Sequence, residues 1–216
     1  MRKKNLIQIT LGLICLIIFV LFTISLEFVD VQPIGPNESV VAYATINGTV
    51  HEFIGVNMML YNITDWAGLV PIFVLILFAS IGLVQWIKRR NLLKVDISIF
   101  LLGMYYLIVF AVYIFFETVV INCRPVLING KLEASYPSST TLLAMSVMPT
   151  AIVQAKRMLS NKLIYKIVIA FCVLFEIFMV VGRFFSGVHW FTDIFAASVF
   201  STGILLIYNG LNNDIF

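Results

Sequence analysis

Long runs of apolar residues alternate with shorter polar stretches along this chain. The runs cover residues 6–26, 67–87, 97–116, 140–155, 163–181 and 189–208. About 20 apolar residues in an α-helix span the hydrocarbon core of a bilayer. The pattern therefore predicts an all-α fold, a polytopic membrane bundle of six transmembrane helices. The fourth run is the shortest and contains Pro149, which makes its ends the hardest to fix.

Composition agrees with a membrane protein. The chain has 216 residues, is 61% hydrophobic and has a mean hydropathy of +1.04, which is more apolar than a soluble domain requires. The first run is too long for the core of a secretory signal peptide, and no small-residue cleavage site follows it. The three cysteines are scattered, which predicts neither a disulfide framework nor a metal site.

Lysine and arginine are distributed unevenly between the two ends of the predicted spans. Eleven would lie on one side: Arg2, Lys3, Lys4, Lys88, Arg89, Arg90, Lys94, Lys156, Arg157, Lys162 and Lys166. Three would lie on the other: Arg124, Lys131 and Arg183. The positive-inside rule then predicts a multi-pass protein of the cell membrane with both termini in the cytoplasm. No region has the basic and aromatic character of a nucleic-acid site, so no nucleic-acid partner is expected.

The segment 183–193 joins the fifth and sixth runs and brings three functional groups together. His189 and Asp193 are four residues apart, so on a helix they would share a face. An imidazole held by a carboxylate presents its other nitrogen as a nucleophile or base. Arg183 adds a planar cation of the kind that binds phosphate. The alternative interpretation is a polar loop that caps a membrane helix, with Asp193 accepting from backbone amides.

Two further features lie between the third and fourth runs, on the same predicted side. Pro125 predicts that a helix ends directly after Arg124, which would hold that guanidinium at the membrane surface. Residues 137–141 (Pro-Ser-Ser-Thr-Thr) are typical of a helix start, where free backbone amides can bind an anion. The alternative interpretation is that residues 137–141 only cap the start of the helix. Together with segment 183–193, these are the parts of a phosphoryl-transfer site.

This arrangement resembles the type 2 phosphatidic acid phosphatases, a family that includes bacterial undecaprenyl pyrophosphate phosphatases and vanadium haloperoxidases. Its signatures are matched at Arg124-Pro125 (end of the first), Pro137-Ser138 (start of the second) and Arg183, His189 and Asp193 (third). The resemblance covers about residues 67–208, which we interpret as a phosphatase-like core within a single membrane domain, 1–216. It also implies extracytoplasmic active-site loops.

The resemblance implies a role for each matched residue. His189 would attack phosphorus to give a phosphohistidine, and Asp193 would orient it. The phosphate oxygens would be held by Arg124, Arg183, Ser138, Ser139 and Thr140. No metal and no cofactor is implied. The expected partners are membrane lipids and a phospholipid or polyprenyl (pyro)phosphate substrate.

The chain departs from the family pattern at four positions. Glu117 replaces the first-signature lysine, Ser139 and Thr140 replace the second-signature glycine and histidine, and Gly182 replaces the third-signature serine. The missing histidine protonates the leaving group in the family, and loss of a general acid costs about 10²–10⁴-fold in rate. A phosphate leaving a pyrophosphate is weakly basic, since its second ionisation lies near about pH 6. We therefore expect a preference for lipid pyrophosphates over phosphatidic acid.

Four residues are candidates for accessory roles. Glu117 is the first, and Lys131 in the same loop is a cation that could compensate for it. His51 could replace the missing acid. Glu176, in the fifth span, could pair with a cation, line a lipid pocket, or be protonated and bonded to a neighbouring helix.

The extracytoplasmic loop 28–66 contains an amphipathic segment over residues 50–66. We expect this segment to lie along the membrane interface, either roofing a lipid-entry groove or as a simple surface helix.

Two functional hypotheses follow. The first is a membrane lipid phosphatase or pyrophosphatase that works through phosphohistidine. The second is a catalytically impaired relative that binds, presents or moves a phospholipid. Glu117 and Thr140 favour the second hypothesis, whereas the intact set of Arg183, His189 and Asp193 favours the first, because a pure binding protein has no need of an oriented imidazole.

Overall fold

The computed structural model describes residues 3–214, so the predicted cytoplasmic cation Arg2 lies outside it. Within that range the chain is helical, and its loops contain isolated β-bridges but no β-sheet. The α-helices are α1 (Lys3–Ser25), α2 (Ala44–Ile54), α3 (Met58–Ala67), α4 (Leu69–Arg89), α5 (Ile97–Thr118), α6 (Ser139–Met158), α7 (Lys162–Ser186) and α8 (Phe191–Asp214). The predicted all-α class is confirmed.

Five helical segments of the described chain are long and apolar enough to cross a membrane. They are Lys3–Ser25, Met58–Arg89, Ile97–Thr118, Lys162–Ser186 and Phe191–Asn213. The second of these contains both α3 and α4, which meet at Gly68. The fold is therefore a helical membrane bundle, and five of the predicted runs agree with α1, α4, α5, α7 and α8 to within two helical turns at either end.

The fourth predicted run, 140–155, corresponds to α6, which is too polar to be counted with those five. α6 contacts α4, α5, α7 and α8, and most of its side chains are buried. Its polar groups bond to neighbouring helices: Thr150 to Tyr106 at 2.9 Å, Ser146 to Ser201 at 3.1 Å, and Gln154 to Tyr208 at 2.7 Å. A helix surrounded by protein needs no apolar surface toward lipid, and interhelical hydrogen bonds satisfy its polar groups.

α1 and α8 pack closely along much of their length because glycines face the partner helix. A Cβ atom on Gly12 would lie 2.6 Å from the backbone oxygen of Gly203, and a Cβ on Gly203 would lie 2.9 Å from Cβ of Cys15. Real Cβ atoms do not approach so closely, so both positions require glycine. Small residues at such crossings let two membrane helices approach with extensive van der Waals contact.

The loop 28–66 is largely helical, and the predicted amphipathic segment 50–66 is divided between α2 and α3. The division falls at Gly55, whose φ of 69° is in the left-handed region that glycine adopts readily. α2 is held against α8 through the buried Asn47, whose side-chain amide donates to the Thr192 hydroxyl at 2.9 Å. α3 packs against α7. Both helices carry large exposed apolar side chains, namely Phe53, Met59 and Trp66.

We expect Gly12→Ala to lower the thermal unfolding temperature of the protein in detergent. The added methyl group overpacks the α1–α8 contact, and such overpacking costs roughly 1–3 kcal/mol. Gly103→Ala is the matched control, because a Cβ at Gly103 on α5 meets no atom within 4 Å. In the control the higher helix propensity of alanine should leave the unfolding temperature unchanged or raise it. Equal unfolding temperatures for the two variants would contradict the close α1–α8 packing.

Candidate active site

His189 lies in the short loop between α7 and α8, and its side chain is 1% exposed. Its Nδ1 is 3.1 Å from the backbone carbonyl oxygen of Ser135 and 3.6 Å from Oδ2 of Asp193. Its Nε2 is buried and has no hydrogen-bond partner among the described residues. The structure brings His189 and Asp193 together, although His189 precedes the helix instead of sharing its face, and Ser135 is the closer partner.

The surroundings of His189 determine its protonation state. Burial, and then the positive charges of Arg124 and Arg183, lower the pKa of His189 well below its usual value of about 6.5. A carbonyl oxygen can only accept, so the neutral ring donates its Nδ1–H to Ser135. The lone pair of Nε2 is therefore free at neutral pH, which is the form that a nucleophile or a base requires.

Asp193 forms contacts both at the start of α8 and with His189. Its Oδ2 accepts from the backbone N–H of Trp190 at 2.9 Å, whereas Oδ1 has no partner in the described part of the chain. Oδ2 of Asp193 thus both accepts from a backbone amide and lies beside His189. The interpretation as a helix cap and the interpretation as an orienting carboxylate therefore apply to the same oxygen atom. The backbone carbonyl of Asp193 also accepts from the N–H of Ser138 at 3.1 Å, which ties the start of α6 to the start of α8.

Arg183 is buried near the end of α7 and is 1% exposed. Its Nη2 donates to Oδ1 of Asp65 at 3.1 Å and to Oγ1 of Thr140 at 2.7 Å, and its Nη1 donates to Oγ1 of Thr64 at 3.3 Å. The guanidinium carbon lies 4.8 Å from the centre of the Tyr61 ring. Nε is buried without a partner among residues 3–214. Its Nη1 also donates to the backbone carbonyl of Tyr61 at 3.4 Å. One of the five N–H donors of this cation thus remains unused, whereas residues of α3 and α6 accept from the other four.

The close approach of α3 also explains Gly182, where the family signature has serine. A Cβ atom at Gly182 would lie 2.7 Å from the Cγ2 methyl group of Thr64. Any larger side chain would push α3 away from α7 and would break the contacts that hold Arg183.

The prediction that a helix ends directly after Arg124 is wrong. α5 ends at Thr118, and the chain then folds back on itself so that the N–H of Arg124 donates to the carbonyl of Glu133 at 3.0 Å. Residues 118–121 are all β-branched (Thr-Val-Val-Ile), and such residues favour extended backbone over helix. Arg124 is consequently held by a hairpin-like loop, 122–135, and not by a helix end.

The Arg124 side chain is nevertheless buried and directed into the same site. Its Nε lies 3.3 Å from Oε2 of Glu133, although Nε and Nη1 form no well-aligned hydrogen bond within the described residues. Its guanidinium carbon lies 5.9 Å from the centre of the Tyr61 ring, which also contacts Arg183. Both cations influence His189 electrostatically. The structure thus brings Arg124 and Arg183 together around Tyr61, within electrostatic range of His189.

The start of α6 contributes its first turn to this site. Ser138 is buried, and its hydroxyl donates to Oγ1 of Thr141 at 3.0 Å. Thr140 accepts from Arg183, as described, and Ser139 lines a small pocket together with His189. The first amides of any α-helix have no acceptor within the helix, so they are available to an anion.

Glu117 stands at the position of the first-signature lysine, and Lys131 is the cation that could compensate for it. Of these two residues, only Glu117 lies near His189. Glu117 is exposed at the end of α5 and lines the same small pocket as Ser139 and His189. Lys131 is exposed at the tip of the loop, after Asn129 and Gly130, and does not line that pocket. The structure does not bring Lys131 to His189.

The two remaining candidates have different surroundings. His51 lies on α2 with its ring centre 5.4 Å from that of Trp190, the neighbour of His189, and its Nδ1 is buried without a partner in the described range. Burial lowers the pKa of His51, so little of it is protonated at neutral pH. Glu176 is half-buried in α7 and forms no hydrogen bond or ion pair with a residue in the range 3–214. Within the described residues neither a cation nor a bonded neighbour accounts for Glu176, and its role in lining a lipid pocket stays a prediction.

Several residues of the site were not predicted from the sequence. They are Tyr61, Thr64 and Asp65 on α3, and Ser135 and Glu133 in the loop before α6. The α3 residues follow the i, i+3, i+4 spacing of one helical face, which is the signal that could have identified them. The contact of Ser135 uses a backbone carbonyl, which carries no signal in the sequence.

Comparison of the sequence with protein-family models and with curated proteins gives no match. The fold, in contrast, is similar to the crystal structure of the first transmembrane PAP2 type phosphatidylglycerolphosphate phosphatase, from Bacillus subtilis, with a TM-score of 0.56. The two chains are 17% identical, and the similarity covers 94% of this chain and 96% of the other. At that identity the likeness concerns the fold, and over nearly its whole length this chain has the fold of a PAP2-type membrane phosphatase.

Proposed function

We propose that this protein is a membrane lipid phosphatase that acts through a phosphohistidine on His189. The observation that carries the proposal is the unprotonated, unpartnered Nε2 of His189, buried in one site with Arg124 and Arg183. A buried polar atom without a partner costs about 1–3 kcal/mol, so a purely structural histidine would be expected to pair both nitrogens. The fold shared with a PAP2-type phosphatase supports the same class of reaction.

The proposed topology has six spans, with α6 as the fourth. The site draws on the end of α5, the start of α6, the end of α7 and the start of α8, which lie at one end of an up-and-down bundle. Most of the cations of the chain lie at the opposite helix ends. By the positive-inside rule that opposite end is cytoplasmic, so the site faces the extracytoplasmic side and both termini lie in the cytoplasm.

In the proposed reaction, the phosphate of the substrate binds to the unused donors of Arg124 and Arg183 and to the first amides of α6. Nε2 of His189 attacks phosphorus, and the bond from phosphorus to the leaving oxygen breaks. The ring becomes cationic, and its Nδ1–H remains bonded to Ser135 with Asp193 close by. The protein catalyses this step by positioning the reacting groups and by stabilising the charge of the transition state.

The preferred substrate in this proposal is an isoprenoid or lipid pyrophosphate. Thr140 stands where the family has its acid, and its hydroxyl is already bonded to Arg183. His51 is a weak substitute because burial keeps it neutral. A leaving group that needs no proton is therefore favoured, and a departing phosphate is such a group.

The alternative is a protein that binds or presents a phospholipid without cleaving it. The observation that favours this alternative is the pair of replacements at Glu117 and Thr140. Glu117 lines the pocket beside His189, where a carboxylate repels phosphate. Hydrolysis assays distinguish the two functions.

We expect His189→Ala to reduce the release of phosphate from farnesyl pyrophosphate by at least roughly 10³-fold, because the attacking atom is lost. The measurement is phosphate release by purified protein in detergent. His51→Ala is the matched control and should stay within about twofold of wild type. Equal release from wild type and His189→Ala would exclude the phosphohistidine mechanism, and no release from either would favour the binding function.

We expect the wild type to hydrolyse farnesyl pyrophosphate with a kcat/KM about 10²–10⁴-fold above that for phosphatidic acid, because a general acid usually accelerates a reaction by that factor. Both substrates are measured in the same mixed micelles, so that surface dilution is equal. Comparable values for the two lipids would show that the site has a proton donor for an alkoxide leaving group.

We expect the kcat/KM of wild type to fall on the acid side only below the usual titration range of histidine, since the reactive form of His189 is neutral and its pKa is lowered. Arg124→Gln removes one positive charge near the ring and should therefore raise the pKa of His189. The acid-side loss of activity then moves to higher pH, in addition to a loss of roughly 10²-fold in rate from the missing phosphate contact. Profiles with one substrate are compared, and an unmoved acid limb would contradict the electrostatic coupling.

A further inference from the structure

Asp65 is the acidic residue that α3 brings to the phosphate site. It follows Tyr61 and Thr64 on the helical face that covers Arg183. Nη2 of Arg183 bonds both to Oδ1 of Asp65 and to Oγ1 of Thr140, at 3.1 and 2.7 Å. The carboxylate of Asp65 is therefore within two hydrogen-bond lengths of the Thr140 hydroxyl in the first turn of α6.

The surroundings of Asp65 differ from those of a residue that only neutralises a buried cation. Arg183 is 1% exposed, whereas the Asp65 side chain is 54% exposed. Only its Oδ1 is engaged, and Oδ2 accepts no hydrogen bond within residues 3–214. Water can thus reach a carboxylate that is fixed against the phosphate-binding arginine. A carboxylate oxygen that accepts no other hydrogen bond can take a proton from an attacking water, which is what a general base does.

A phosphohistidine mechanism has two steps with different needs. In the first, a pyrophosphate substrate releases a weakly basic phosphate group that departs without a proton. In the second, water must attack phosphorus, and it loses a proton as it does so. A general base assists that step, and the leaving imidazole needs no acid because it departs neutral with its hydrogen on Nδ1.

We propose that Asp65 is the general base that activates water for hydrolysis of the phosphohistidine, an inference that rests on the proposed function. The water oxygen forms a bond to phosphorus, and its proton passes to Oδ2 of Asp65. The bond from phosphorus to Nε2 breaks, and its electron pair returns to the ring of His189. Asp65 then releases the proton to solvent.

Glu117 is the competing carboxylate, because it lines a pocket with His189. Within residues 3–214, however, the carboxylate of Glu117 forms no hydrogen bond or ion pair with Arg124, Arg183 or Thr140, so no contact fixes it against the phosphate-binding groups. Asp65 instead accepts a hydrogen bond from Nη2 of Arg183, the same nitrogen that donates to Thr140. Water that attacks in line with the bond to Nε2 approaches from the side that the leaving group has vacated, which in this proposal is the side of Arg183 and Thr140.

The test is rapid-quench kinetics with farnesyl pyrophosphate labelled on its terminal phosphate, using the full-length protein in detergent. In Asp65→Asn we expect a burst of farnesyl phosphate at close to the wild-type rate, then steady-state turnover about 10²–10⁴-fold slower than wild type. Label should accumulate on the protein as an acid-labile, base-stable phosphohistidine that is absent from His189→Ala. Asp65→Glu should restore part of the turnover. Glu52→Gln, which neutralises an exposed carboxylate on α2, should leave both steps unchanged.

Other outcomes would overturn the assignment. If Asp65→Asn slows the burst and the turnover equally and no labelled protein appears, Asp65 only positions Arg183. If its turnover rises, Asp65 only competes with phosphate for the arginine. Accumulation of labelled protein in Glu117→Gln or His51→Ala, and not in Asp65→Asn, would transfer the role of base to one of those residues. If the wild type neither releases phosphate nor takes up label, the proposed function itself fails, and Asp65 has no phosphohistidine to hydrolyse.

Discussion

The buried guanidinium of Arg183 is the constraint on which the outer half of this molecule depends. A cation with 1% exposure costs several kcal/mol unless its donors are met, and only well-placed partners can offset that cost. The partners come from elements that are distant in sequence, the hydroxyls of Thr64 and Thr140 and the carboxylate of Asp65. α3 must therefore fold down onto α7 and meet the start of α6. The glycine at position 182 makes that approach sterically possible.

The same charges also set the chemistry of His189. Burial of the imidazole, and then the two cations near it, make its protonated form unfavourable, which leaves the ring neutral. The Ser135 carbonyl then selects the tautomer, since it can accept only from a protonated Nδ1. Arg124 is brought to the site by the fold of the loop 122–135, which also carries Ser135. One loop thus supplies both a cation that lowers the pKa of the imidazole and the acceptor that orients it.

The sequence predicts the lipid-facing part of this fold well, because lipid contact imposes an apolar surface on every exposed helix. α6 obeys a different rule, since its neighbours are helices, and its buried Ser146, Thr150 and Gln154 lower its hydropathy. The segment 183–193 could be identified because its three functional residues are close in sequence. The contacts of Arg124 and Asp65 could not, because they depend on how a loop folds back and on how α3 docks. Local patterns specify helices, whereas pairings across more than a hundred residues appear only when the helices pack.

Thr140 and Asp65 bear on the two halves of one chemical problem. An enzyme that forms a covalent phosphohistidine must release a leaving group and then admit water, and a single histidine that gains and then loses a proton can serve both steps. If two different groups serve the two steps, no single residue has to gain and lose a proton near neutral pH. In the proposed mechanism a pyrophosphate substrate eases the first task through its own leaving group, and the carboxylate of Asp65 beside Arg183 serves the second. In that mechanism the threonine at position 140 would restrict which substrates can be cleaved, and Asp65 on α3 would restore the free enzyme by activating water.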